Sequence, residues 1–151
     1  MGRRGFVLIA MCATLFLLMA MIGMAFDFGR VYVARNEAQI FTDAAALTAA
    51  AKLDGTAAGL DAARAAVARL PGRWNFGNSP IVGAKLEFSA DGKTWQAGST
   101  PDVPAAAFGL VRVSAPENHV DITFLRVTGT AASMLVGAGS VAALAPVRLV
   151  E

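Results

Sequence analysis

Few residues in this chain are of a type and spacing suited to bond-making chemistry. Cys12 is the only cysteine and His119 the only histidine in the 151 residues, so neither an intrachain disulfide nor a cysteine-based zinc site can form. His119 stands next to a turn and reads as a surface histidine, while Cys12 lies in an apolar run and reads as a small helix residue. Serine and aspartate are present, but no G-x-S-x-G string or comparable nucleophile context accompanies them. Gly137-Ala138-Gly139-Ser140 lacks the third glycine and the lysine of a phosphate-binding loop and reads as a turn. Trp74, Trp95 and Phe88 are the residues on which a ligand pocket would be built, and the competing reading places such rings in the core of a small sheet. No catalytic residue, metal ligand, cofactor or small-molecule substrate is expected. The net charge of +2 is spread along the chain with no basic stripe and interleaved aromatics, which argues against nucleic-acid binding.

The elements that hold these residues begin with an uncharged run from Phe6 to Phe26 behind Arg3 and Arg4. As a helix it would measure roughly 31 Å at about 1.5 Å per residue, close to the ~30 Å hydrocarbon core of a bilayer. A cleaved signal has a shorter apolar core and a small-residue cleavage step, whereas here Asp27 follows Phe26 directly. The run is therefore expected to be a retained single-pass anchor. Residues 1–5 form a cytoplasmic basic flank, 6–26 the transmembrane helix, and 27–151 an extracytoplasmic domain in the periplasm or outside the cell. Arg30 and Arg35 on the far side weaken the charge asymmetry, and Asp27 and Glu37 accompany them.

Beyond the bilayer the helical pattern continues over 27–53, with Val31, Ala34, Ala38, Phe41, Ala45 and Thr48 at spacings of three and four. Asp54-Gly55 is its stop signal, so the helix should run for about 48 residues. A second helix is predicted over 56–70, capped by Thr56, with Leu60, Ala63, Val67 and Leu70 on its apolar face and Pro71-Gly72 at its end. Residues 84–151 read as mainly β. Lys85–Ser89 and Lys93–Ala97 flank Ala90-Asp91-Gly92 as a hairpin, Gly109–Ser114 is a strand, and Ala115–Asn118 is its turn. Val120–Val127 is mixed, and Ser140–Val150 is expected to be a closing strand bent or interrupted at Pro146. The expected fold class is α+β, with an antiparallel sheet packed on the long helix and pilin-like in outline.

One stretch resembles a known family. Arg3-Arg4-Gly5 before an apolar span, the D-x-G-R-x-Y element made by Asp27, Gly29, Arg30 and Tyr32, and the block Asp43-Ala44-Ala45-Ala46-Leu47 are similar to the amino-terminal segment of the TadG-like proteins of the tight adherence (Flp) pilus system. The resemblance covers about residues 1–55, with a weaker echo at Val111-Arg112-Val113, Phe124-Leu125 and Gly139-Ser140-Val141. Many TadG-like proteins carry a von Willebrand A-like region with a metal-ion adhesion site, but no D-x-S-x-S string occurs here, so metal-dependent adhesion is not implied. The related TadE-like pseudopilins have a glutamate at the fifth residue after the glycine, where this chain has Ala10. The TadG-like reading is accordingly preferred.

The resemblance implies a non-enzymatic component of a bacterial inner-membrane pilus assembly system, whose partners are the lipid bilayer and other pilus proteins or copies of itself. Gly5-Phe6 looks like the junction cut by prepilin peptidase, and cutting there would give the alternative of a filament subunit. Ala10 lacks the charge that would pair with a neighbour's new amino terminus, which favours the uncut anchor. Asp27 is expected to be an interface marker solvated by water and headgroups, with Arg30 as a local partner. Ala25 and Gly29 form a small-x-x-x-small pair suited to helix–helix contact, and the alanine face of the outer helix is expected to present itself for close packing. A third reading, a membrane-anchored ligand- or envelope-binding module, requires a pocket lined by Trp74, Trp95 or Phe88.

Overall fold

A computed structural model describes residues 3–75, 79–100, 103–128 and 132–144, with backbone alone described at Arg3, Arg4, Val127 and Thr128. The first element, α1, runs unbroken from Arg3 to Ala50 over 48 residues, or about 72 Å. No proline interrupts it, and neither Gly23 nor Gly29 breaks it. It ends by tightening, as Lys52 and Leu53 donate their N–H groups to the carbonyls of Ala49 and Ala50. Gly55, at φ 80°, then takes the left-handed turn that the Asp54-Gly55 signal requires. The helix thus stops three residues short of the expected Leu53.

The second helix, α2, spans Ala57–Ala68. Thr56 caps it as anticipated: its hydroxyl accepts from the Gly59 N–H at 3.0 Å while donating to the Asp54 carboxylate at 2.6 Å. Leu60, Ala63 and Val67 are buried and Leu70 packs beside them.

Among the described residues seven short strands follow: β1 Arg73–Trp74, β2 Ser79–Pro80, β3 Lys85–Ser89, β4 Leu110–Ser114, β5 Asn118–Asp121, β6 Ser133–Val136 and β7 Gly139–Ala143. They form three antiparallel groups, ordered β1-β2, β3-β4-β7 and β5-β6, so the fold is α+β with a long apolar amino-terminal helix and a second helix. Single 3₁₀ turns occupy Ala105–Ala107 and Leu125–Thr128. The mixed reading of Val120–Val127 matches this strand followed by a 3₁₀ turn. Of the closing strand, Gly139–Ala143 is observed, and Pro146 lies outside the described residues.

The expected hairpin is not a hairpin. β3 pairs with β4 in full register, and Lys93–Ala97 contributes only the bridge between Gln96 and Phe88. The cause is Asp91, whose carboxylate accepts the N–H groups of Lys93 at 2.9 Å and Thr94 at 2.8 Å. Those donors close a local turn and are lost to a strand ladder.

Packing follows α1 as a spine. Ala45, Ala49, Leu60, Val67, Phe88, Val111, Val113 and Ala142 form the core farther from the amino terminus. Ala34, Ala38, Phe41, Trp74, Ile81, Val120 and Val136 form a second core one to three turns earlier along the same helix. Alanine lets the sheet approach the helix backbone closely, so the alanine face expected to meet a partner is buried inside this chain instead. Methyl-sized side chains supply little area each, but the bulk on the other side of the contact comes from Phe88, Val111 and Val113, all fully buried.

Candidate functional site

The domain is fastened to the carboxy-terminal end of the apolar run at Asp27. Its carboxylate accepts three consecutive backbone N–H groups, from Thr123 at 3.0 Å, Phe124 at 2.7 Å and Leu125 at 2.7 Å. Those donors lead into the Leu125–Thr128 3₁₀ turn, whose start offers them no carbonyl within the turn, so a charged acceptor serves all three at once. Asp27 is 1 % exposed. The expected water- and headgroup-solvated aspartate is thus corrected: the domain's own backbone is its solvent. Arg30, one turn on, donates from a guanidinium nitrogen to the Thr123 hydroxyl at 3.3 Å, so it reinforces the same loop.

Toward the amino terminus the loop reaches further. The Phe124 side chain lies on Gly23, where a β-carbon, if there were one, would come within 2.6 Å of Phe124 Cβ and Cγ. The Phe26 and Phe124 rings meet edge to face with centroids 5.8 Å apart. Gly23, Phe26, Asp27, Arg30 and the segment 122–126 therefore make one collar against a single face of the helix. In the sequence Phe124 figures only as part of the weak Phe124-Leu125 echo and not as a partner of the helix, and Gly23 is not singled out, its one signal being an isolated glycine inside an apolar helical pattern.

Of the other predicted positions, Gly5 and Phe6 lie in α1, Phe6 being exposed, and Arg3 and Arg4 are in its first turn. Ala25, Gly29 and Tyr32 are exposed, and none of the described residues packs on Gly29. Asp43 accepts from Gln39 Nε2 at 2.9 Å and from the Ser140 hydroxyl, and Thr42 meets Ser140 at 2.8 Å, so this part of the motif pins the edge strand β7 to the helix. Glu37 accepts from the backbone and side-chain nitrogens of Asn75.

The aromatic residues do not line one pocket. Trp74 is buried in the second core and Phe88 in the first, while Trp95 lies under the Arg112 guanidinium, 4.5 Å from its centroid. Arg112 also holds the Glu87 carboxylate at 2.6 Å, and Lys85 approaches its other oxygen at 2.8 Å. The bonds from Lys85 and Arg112 keep that carboxyl below its usual range despite burial. Asp91 is lowered to about 2, first by the Thr94 and Lys93 N–H groups and then by Ser89. Asp54 is lowered by the Thr56 hydroxyl and N–H. Each shift has a structural partner, and the three carboxylates serve turns, caps and the sheet. His119 is exposed and meets the Ser133 hydroxyl at 3.3 Å. Among the described residues no three His, Cys, Asp or Glu side chains gather as a metal set.

The α1 residues from 6 to 22 are exposed on all sides, and the helix is long and apolar enough to cross a membrane. Residues 5–52 match the Tad family model, described as "Putative Flp pilus-assembly TadE/G-like". The amino-terminal segment is TadE/G-like. The matched range coincides with α1 and its terminal turn, so the TadE/G-like segment is the spine against which the described later elements pack. It contains Asp27, Arg30 and Asp43, each of which bonds to the later part of the chain. No curated protein and no solved structure matches this chain.

Proposed function

We propose that this protein is a non-enzymatic, single-pass component of a tight adherence (Flp) pilus assembly system, held in the bacterial inner membrane with its amino terminus cytoplasmic. Its α+β domain stands on the far side and meets other pilus proteins there. The observation that carries this reading is the division of labour within the TadE/G-like helix. Its inner half is apolar and exposed all round, and its outer half is buried on one side by the domain.

The opposite side of the outer helix supplies a contact face. Val33, Ile40 and Leu47 recur at intervals of seven on an exposed ridge, Ile40 and Leu47 being 69 % and 66 % exposed. A period of 3.5 residues keeps such positions on one seam, which suits a helix of a neighbouring subunit standing in the same membrane. A photocrosslinking residue at Ile40 in living cells is expected to capture a pilus protein or a second copy, and the same probe at Asp61 on α2 is not. Equal capture at both sites would sink the reading.

The filament-subunit alternative shares the same exposed helix. Amino-terminal sequencing of the native protein separates the two, since a chain starting at Phe6 has been cut and supports the filament, while an intact Met1-Gly2 end supports the anchor.

A further inference from the structure

We propose that residues 122–126 are a second membrane contact, in which the Phe124 ring enters the outer edge of the bilayer beside the transmembrane helix. The inference rests on the anchor reading of α1 and deepens it. Phe124 is fastened at two heights. Its N–H is bound by Asp27, and its side chain lies against Gly23, four residues nearer the amino terminus and so about 6 Å deeper along the axis. Gly23 and Phe26 belong to the apolar run, so a ring in contact with both occupies their depth.

What faces outward at that depth is apolar. Phe124 remains 48 % exposed despite its packing on the helix, and Phe26, whose ring it meets, is similarly open, as is Phe28 farther along the helix. This surface continues the all-round exposed surface of residues 6–22, whose occupant in the anchor reading is lipid. Arg126, in the same loop, is exposed, and Arg30, one turn beyond Asp27, bonds the loop at Thr123, so two cationic residues accompany the ring, a residue type suited to phosphate headgroups.

A loop entering a bilayer ordinarily fails because its backbone donors lose water. Here four consecutive N–H groups are already satisfied: Ile122 donates to the Ala132 carbonyl at 3.0 Å, and Thr123, Phe124 and Leu125 donate to Asp27. Asp27 thereby makes the loop compatible with a low-dielectric surrounding, and the two fastenings fix the height of the domain above the membrane.

The test uses the full chain in phosphatidylcholine nanodiscs with nitroxide labels read by electron paramagnetic resonance. The native Cys12 is exposed on the helix and reports the anchor directly. In a Cys12→Ser background, Phe124→Cys, Thr123→Cys and Lys93→Cys carry the label in turn. The ratio of oxygen to water-soluble nickel accessibility at 124 is expected to lie below that at Cys12, which sits deeper in the span, and to exceed that at 93 several-fold. Thr123→Cys leaves the phenylalanine in place and is expected to give an intermediate ratio. Ratios at 124 and 123 equal to that at 93, with Cys12 lipid-exposed, would overturn the loop contact and leave the anchor standing. A Cys12 label open to nickel would overturn both. A label at 124 shielded from oxygen and nickel alike would show a protein neighbour instead of lipid and overturn the proposal.

Discussion

The Asp27 carboxylate binds the backbone N–H of Phe124 at 2.7 Å across 97 residues of sequence, joining the carboxy-terminal end of the apolar run to a loop late in the chain. Because the same carboxylate also holds Thr123 and Leu125, its removal takes the shared acceptor from three donors in one step. Asp27→Ala is expected to abolish amide-exchange protection at 123–125 and to lower the melting temperature, while amides of β4 keep their protection. Asp27→Asn, which retains one carbonyl acceptor, should lie between. Hydrogen exchange read by mass spectrometry on the full chain checks both, and unchanged protection in Asp27→Ala would refute the anchoring role.

Gly23→Ala sets two effects of opposite sign against one another. Alanine favours a helix interior by about 1 kcal/mol over glycine. Its methyl group would, however, meet Phe124 Cβ and Cγ at 2.6 Å, and overpacking of that kind costs about 1–3 kcal/mol. The overlap is the larger, so the loop should lose protection at Leu125 while α1 itself does not. A gain in loop protection would show that Phe124 can withdraw freely.

The elements that were legible in the sequence are those with local causes. α1 follows from a long stretch without proline and with apolar spacing, α2 from the Thr56 cap and Pro71-Gly72, and β4 from its alternation. The collar was not legible, because Asp27 finds its partners 96 to 98 residues away and nothing near it in sequence signals them. Locally, Asp27 reads only as a charge at the end of an apolar run. The hairpin expectation failed for a related reason. Asp91 takes the donors of the returning segment, and the true partner of β3 lies in β4, beyond an intervening loop. The alanine block looked like a partner surface since small residues permit close approach, but whether the approaching element comes from the same chain is a tertiary fact.

The Asp91 turn should make stability depend on acid in a defined window. Its pKa falls from an ordinary 3.8 to about 2, so the unfolded chain binds the proton more readily than the folded one. The stabilisation is therefore fully present above about pH 4 and is lost as the pH falls toward 2. Asp91→Asn should flatten the slope of unfolding stability across that interval and leave it unaltered near neutrality relative to its own plateau. Denaturant titrations of the full chain in detergent at pH 5, 4, 3 and 2 measure the slope.

Arg112 holds two neighbours, the Glu87 carboxylate and the Trp95 ring. Arg112→Ala leaves Glu87, whose side chain is largely buried, with Lys85 as its remaining cation, at a cost of about 1–3 kcal/mol. It also opens the face of Trp95 to water, which should move its fluorescence to longer wavelength while Trp74 stays in the core. The double substitution Glu87→Gln with Arg112→Ala removes the unpaired charge and should recover part of the loss. Equal destabilisation of the single and double variants would show that the stacking, not the ion pair, carries the effect.

Ile40 separates assembly from folding. It is 69 % exposed and lies on the side of α1 away from the domain, so Ile40→Glu should change stability by no more than about 0.5 kcal/mol. If the Val33–Ile40–Leu47 ridge meets a neighbouring helix, the substitution buries a glutamate whose neighbours on this helix, Asn36, Glu37, Asp43 and Ala44, include no cation, and association should fall sharply. Ala38→Glu, just over half a turn away on the buried face, is the contrasting change: Ala38 is fully buried, and its replacement should disrupt the fold itself. Thermal melts together with crosslinking from Val33 discriminate the two outcomes. A stable Ile40→Glu protein that still crosslinks fully from Val33 would exclude the ridge as the partner surface.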